Sequence, residues 1–295
     1  MKDLERLTFL KILALLSLVR WWSVFLIAAA QYLTSIFVLQ PHESWKVILK
    51  DPFLHLVILS TSFIVSAGFI INSFYDQEKD MINRPAQTAF EHLLSRPTTL
   101  NLYLVFNLLG LVLASVISWR AVLFFAAFAF ALWLYSHKKK HLPITGNVVK
   151  ASLSFLPFFA IFFYYKIPHW GLVLYVLFLF TLELSRGLVK DVISLKGDAI
   201  FGYPSVPALK GNSGLSRHLF VIFLLSILLA IGNLNFELNV YLIAFVVLGL
   251  VIQLFSFLKL PKWLIQTQKV YWLHFIYKLI IVVGVVLLVC LGPKT

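Results

Sequence analysis

The chain has 295 residues, of which 61% are hydrophobic and 13% charged, with a formal net charge of +13. No soluble domain of this size needs so much apolar content, so a soluble fold is excluded and one polytopic membrane domain is expected over residues 1–295. The excess of basic residues fits membrane loops that set topology and meet anionic headgroups, and no nucleic-acid partner is expected.

Met1 to Arg6 carry two acids and two bases with no convincing small-residue cleavage site after them, so no removable signal peptide is read. Leu7 to Val19 reads as an amphipathic helix lying at the membrane surface, making residues 1–20 an N-terminal surface element. Nine candidate spans follow: Trp22–Leu39, Phe53–Phe74, Leu100–Ser118, Ala121–Leu134, Val149–Tyr165, Gly171–Leu188, His218–Ile231, Val240–Phe257 and Val270–Leu291. The fourth and seventh are short for a hydrocarbon core of about 30 Å. The fold class expected is all-α, with nine transmembrane helices around a central cavity open to the cytoplasmic side. Cys290, the single cysteine, lies in the last apolar segment and has no partner for an internal disulfide.

Orientation follows from the bases. Nine spans put the N-terminus and the loops after spans 2, 4, 6 and 8 on one side, with nineteen of the 25 lysines and arginines. Five lie on the other side, and Lys278 falls inside the last span. The rich side is cytoplasmic by the positive-inside rule, and Trp45, Trp119 and Trp170 anchor outer ends of spans. The protein is therefore expected in the cell's inner, cytoplasmic membrane with its N-terminus inside.

Half of the twelve acids lie in or beside the loops after spans 2 and 6: Asp76, Glu78, Asp80, Glu91, Asp191 and Asp198. The run His55 to Ile71 passes into Asn72 without a glycine or proline break. If the helix continues, Asn72, Asp76 and Asp80 recur every four residues on one face. Carboxylates at the mouth of a membrane helix are functional by default, and at this spacing they can hold Mg²⁺, which keeps waters and bridges to phosphate oxygens. The Asn72 amide can add a neutral oxygen or orient an aspartate. In the second cluster Asp191 and Asp198 are two helical turns apart, with Ser194 between them on the same face. Arg186 and Lys190 are four apart and can reach one anionic group. A third stretch, Tyr135 to Lys140 followed by Gly146-Asn147, carries lysines able to neutralise diphosphate oxygens. The two acidic clusters are expected to meet across one cavity and grip a diphosphate through metal.

These residues resemble the UbiA-type intramembrane prenyltransferases. The family's first motif runs Asn-Asp-x-x-Asp-x-x-x-Asp and is often followed by Ile-Asn-Arg-Pro. Asn72, Asp76, Asp80 and Ile82 to Pro85 match it, and Ser73 stands where an aspartate is usual. Asp191 and Asp198 match the second aspartate-rich stretch, with Ser194 where another acid is common. Arg186, Lys190-Asp191, Gly197-Asp198 and Gly202-Tyr203-x-Ser205-x-Pro207 resemble the branch that alkylates geranylgeranylglyceryl phosphate. The resemblance implies Mg²⁺-dependent transfer of a prenyl group, geranylgeranyl for preference, from an allylic diphosphate to a lipid or aromatic acceptor. It implies Asp76, Asp80, Asp191 and Asp198 as metal ligands, with Lys190 beside them in catalysis. It implies Asn72, Arg84, Tyr135, Lys139, Lys140, Asn147, Arg186 and Ser194 as substrate contacts. An aromatic prenyltransferase of the quinone, homogentisate or chlorophyll type is the alternative within the family. An anion or lipid transporter, or an inactive lipid-binding member marked by Ser73 and Ser194, are alternatives of other classes.

Overall fold

The computed structural model describes residues 2–138, 145–166, 169–202, 204–233, 239–264 and 267–291. Among them there is no strand. Twelve α-helices are present: α1 (Lys2–Leu18), α2 (Trp21–Leu33), α3 (Trp45–Ile48), α4 (Pro52–Asn83), α5 (Pro85–Glu91), α6 (Arg96–Ile117), α7 (Trp119–His137), α8 (Thr145–Tyr165), α9 (Trp170–Ile200), α10 (Val206–Asn233), α11 (Val240–Lys259) and α12 (Thr267–Val286). A π-helical turn, Thr34–Leu39, extends α2, and 3₁₀ turns follow α11 and α12. Nine helical segments among the described residues are long and apolar enough to cross a membrane, which makes this an integral, multi-pass membrane protein.

The fourth and seventh spans are not short. α7 has 19 residues and α10 has 28. Ser118 caps α7 by accepting from the Ala121 N–H at 3.2 Å, so the helix gains a polar first turn that hydropathy discounts. In α10 the polar stretch around Gly211 reads as a loop, yet helix lies on both sides of it. Gly211 alone leaves helical geometry, at φ 55°, and a glycine takes that left-handed kink without steric cost.

The chain forms two compact units, Met1–Ala29 with Leu49–Lys139 and Ala30–Ile48 with Lys140–Thr295. In the first, α4 packs on α6 and α7. Gly110 permits the α4–α6 approach, because a Cβ there would lie 2.8 Å from Ile64 Cγ1. In the second, α9 packs on α8, α10 and α12. A buried polar chain ties its helices: Ser226 Oγ donates to Thr181 Oγ1 at 2.8 Å, Gln253 Nε2 reaches Thr181 and Ser185 at 3.3 Å each, and the Ser256 and Tyr277 hydroxyls pair at 2.8 Å. Such bonds join helices where apolar burial gives no preference for protein over lipid.

Two helices stand apart by burial. The apolar windows of α4 and α9 are 67% and 72% buried, against 11–33% for the other seven spans. Each is the pivot of its own unit, and each runs past its apolar part into one of the acidic clusters. Asp51 starts α4 by accepting from the Phe53 N–H at 3.0 Å, with Pro52 in the first turn. The helix ends at Asn83 because Arg84 precedes proline, which disfavours helical geometry, and leaves it at φ −146° and ψ 58°.

Candidate active site

In the first unit, α4 continues unbroken through Asn72, Asp76 and Asp80, as the four-residue spacing predicts. Asn72 Nδ2 donates to Asp76 Oδ2 at 3.0 Å, so the amide orients the carboxylate one turn on. Asp80 is paired with Arg84, whose Nη1 also donates to Gln87 Oε1 at 3.3 Å. Ser73 donates to Glu91 Oε2 at 3.4 Å, and Glu91 Oε1 accepts from Ser17 at 2.9 Å and Gln87 at 2.8 Å. Glu91 thus brings a third carboxylate beside α4, at the position where this chain has Ser73 in place of the usual aspartate. Ser95 caps α6 by accepting from the Thr98 N–H, and Arg96 Nε donates to Gln77 Oε1 at 2.8 Å. A small cavity is lined by Ser73, Gln77, Glu91, His92 and Arg96.

Arg20, counted in the sequence only as a topology charge, belongs to the same group. Its backbone is left-handed at φ 51°, and its guanidinium lies 5.0 Å from the Phe69 ring centroid. Burial pulls its pKa below the ordinary arginine value, and Arg84 adds to this, while Asp80, Glu91 and Asp76 oppose it. The signal available beforehand was a basic residue at the break between two helices, which a charge count does not separate from its neighbours.

In the second unit, α9 persists to Ile200 and carries both aspartates. Asn147 Nδ2, on α8, donates to Asp191 Oδ2 at 2.7 Å across 44 residues of sequence. Gly187 makes room for that amide, since a Cβ there would sit 3.3 Å from Asn147 Oδ1. Ser194 Oγ donates to the buried Asp198 Oδ2 at 2.8 Å. Lys190 and Lys150 act electrostatically on Asp191. Arg186 is not directed at open space: Nε and Nη2 grip Glu183, the first at 2.6 Å to Oε2. Glu183 was missed by sequence reading, although an acid three residues before an arginine inside an apolar run is the spacing of a helical ion pair.

Tyr135 lies on α7 in the first unit, where its neighbour Ser136 bonds back to the Leu132 carbonyl at 2.9 Å. Lys139 and Lys140 lie outside the described residues. The structure therefore brings Asn72, Asp76, Asp80 and Arg84 together on the first unit, and Asn147, Lys190, Asp191, Ser194 and Asp198 on the second.

Each of the four aspartates is oriented by a side-chain donor: Asn72, Arg84, Asn147 or Ser194. Hard carboxylate oxygens held this way fit a magnesium ion, which takes one or two carboxylates and completes its shell with water and phosphate. Among the described residues no three acidic, histidine or cysteine side chains form a ready-made metal cage.

The UbiA prenyltransferase family model matches residues 32–279. Among named relatives, the digeranylgeranylglyceryl phosphate synthase of Pyrococcus horikoshii is 31% identical over 168 residues, 56% of this chain and 60% of that protein. The protein of the same name from Pyrococcus abyssi is 34% identical over 161 residues, 54% of this chain and 57% of that one. The matched stretches thus span little more than half of those relatives. Among solved structures, a UbiA homolog from Archaeoglobus fulgidus bound to GPP and Mg²⁺ superposes with a TM-score of 0.65 at 16% identity, covering 94% of this chain and 99% of that one. A structure described as digeranylgeranylglyceryl phosphate synthase gives 0.63 at 21% identity over 95% and 99%. At these identities the structures establish a shared fold, and the match over residues 32–279 establishes the lineage. This chain belongs to the UbiA prenyltransferase family.

Proposed function

We propose that this protein transfers a geranylgeranyl group from its allylic diphosphate to geranylgeranylglyceryl phosphate, with Mg²⁺ as cofactor. The observation that carries the reading is that the two most buried helices each end in a pair of aspartates oriented by polar side chains. The family match and the names of the relatives support the donor and acceptor. One match running through residues of both units supports reading them as one domain. The excess of bases on one side supports an N-terminus facing the cytoplasm, in the inner membrane.

Asp76, Asp80, Asp191 and Asp198 would hold the metal. Bound there, Mg²⁺ neutralises diphosphate oxygens and makes the diphosphate a better leaving group. Asn72, Asn147 and Ser194 hold the carboxylates in orientation. Lys190, with Lys139 and Lys140, supplies positive charge where the leaving diphosphate gains negative charge. Arg84 and Tyr135 complete the diphosphate contacts. The allylic C–O bond breaks and an allylic cation remains, with Phe74 and Tyr75, beside the first acidic cluster, as ring faces able to stabilise it. The acceptor hydroxyl oxygen forms the new ether bond to carbon and releases its proton.

The test is purified protein with Mg²⁺, radiolabelled geranylgeranyl diphosphate and a panel of phosphate-bearing and aromatic acceptors, read by product mass. The expected product is the doubly alkylated glyceryl phosphate. Product only with aromatic acceptors moves the protein to another branch of the family. Diphosphate binding without any product makes it a lipid-binding member.

A further inference from the structure

Glu91, the last residue of α5, has no part in the transfer chemistry above, yet the first unit holds it with donors from three helices. An acid in the last turn of a helix opposes the helix dipole at a cost of about 0.3–1 kcal/mol, so its place there calls for compensation. Ser17 on α1 donates to Oε1 at 2.9 Å, Gln87 on α5 to Oε1 at 2.8 Å, and Ser73 on α4 to Oε2 at 3.4 Å. α5 packs on both α1 and α4. Pro85 begins it, and Thr88 Oγ1 donates back to the Arg84 carbonyl at 3.0 Å, so the carboxylate reaches α4 from a helix with a fixed start.

The side of α4 that Glu91 meets is the acidic one. Ser73, Asp76 and Asp80 stand at i, i+3 and i+7, on one face of a helix that runs unbroken to Asn83. A carboxylate seated on Ser73 therefore lengthens that face by one turn. A shared neighbour points to the same grouping, because Asp80, Glu91 and Asp76 all act electrostatically on the Arg20 guanidinium. Serine at position 73 suits this arrangement. An aspartate there would set a second carboxylate against Glu91 and repel it, whereas the serine hydroxyl donates to it. Oε1 has two donors and Oε2 only the long contact from Ser73, so Oε2 keeps room to accept a further hydrogen bond. Ser73 and Glu91 line the same small cavity, which is large enough for a water molecule.

We propose that Glu91 is a positioning residue of the first acidic cluster, a carboxylate carried in from α5 that strengthens the hold of Asp76 and Asp80 on a divalent cation. This rests on the metal reading of α4 given above. Among the described residues no three acids form a ready-made cage, so Glu91 acts through its charge and through hydrogen bonds to metal-bound water, not as a direct ligand. Magnesium suits such help, since it keeps several waters whose hydrogens need acceptors.

The experiment titrates Mn²⁺ into the full chain in lipid nanodiscs and reads free Mn²⁺ by its spin-resonance signal, with empty nanodiscs as blank. The site on the first cluster is identified by its loss in Asp76→Ala. Glu91→Gln keeps an acceptor for Ser17 but removes the charge, and is expected to weaken that site by roughly tenfold or more. Moving the carboxylate onto α4, in the double variant Ser73→Asp with Glu91→Gln, is expected to bring affinity back to within about threefold of wild type, less than the loss of a contact. Ser17→Ala loosens the link to α1 without touching the charge. It should lower the melting temperature and leave Mn²⁺ affinity within about twofold. Glu91→Asp, which withdraws the carboxylate by one methylene, gives a smaller loss of the same kind and serves if Glu91→Gln does not insert. Unaltered Mn²⁺ affinity in Glu91→Gln overturns the proposal. A double variant no better than Glu91→Gln also overturns it, because Glu91 is then only a link between helices. Transfer by wild type is measured on the same samples. Loss of Mn²⁺ affinity in Glu91→Gln, restored in the double variant, by a protein without transfer activity would sink the proposed function and leave this role of Glu91 standing.

Discussion

The contact between Asn147 and Asp191 offers the sharpest check on how the second cluster works. The amide donates to the carboxylate at 2.7 Å, from a helix 44 residues away in sequence. A hydrogen bond to a charged group contributes about 1.5–3 kcal/mol. Side chains that orient metal-binding carboxylates change metal affinity by about 10–100-fold when removed. Asn147→Ala should therefore raise the Mg²⁺ concentration for half-maximal transfer by about tenfold or more. Because Asp191 itself remains, rate at saturating Mg²⁺ should recover in part. The assay is transfer by protein in lipid nanodiscs across a Mg²⁺ titration, with melting temperature as a control for folding. Gly187→Ala pushes on the same amide through a methyl 3.3 Å from its oxygen, and should shift the titration the same way by a smaller factor. An Asn147→Ala protein with an unaltered Mg²⁺ titration would refute the orienting role and weaken the placement of metal at Asp191.

Asp76→Ala and Asp191→Ala should each abolish transfer while the protein still inserts, and full activity in either removes the metal reading. Gly110→Ala places a methyl 2.8 Å from Ile64, an overpacking that costs about 1–3 kcal/mol, and should lower the melting temperature in detergent. His169 lies outside the spans and caps α9 through Nδ1, which accepts from the Leu172 N–H at 3.0 Å, and burial lowers its pKa from the ordinary 6.5. Its cap is therefore complete above pH 6.5 and lost as pH falls through the lowered folded-state value, because the unfolded chain protonates first. Melting curves from pH 7.5 down to about 4.5 should show wild type losing stability that His169→Asn, a cap that does not titrate, retains. Equal slopes for the two proteins would exclude this role.

Much of the architecture was legible because it depends on local periodicity and on the bilayer. Apolar runs of sufficient length become helices, since no other backbone satisfies its polar groups in lipid. Asn72, Asp76 and Asp80 were predicted to stack because nothing in Ile71 to Asp80 breaks a helix, and Pro85 marks where α4 stops. The same reasoning shortened α7 and α10, because hydropathy discounts polar turns that capping and a single glycine kink keep helical.

What composition and spacing determined alone was the class of molecule, the course of its spans and the two acidic faces, all properties of neighbours within a turn or two. Partnerships were decided only by tertiary structure. Asp191 on α9 meets Asn147 on α8, and Ser73 on α4 meets Glu91 on α5. Long side chains choose partners by which helices pack together. That choice follows from shape and burial summed over whole helix faces, which no local pattern records.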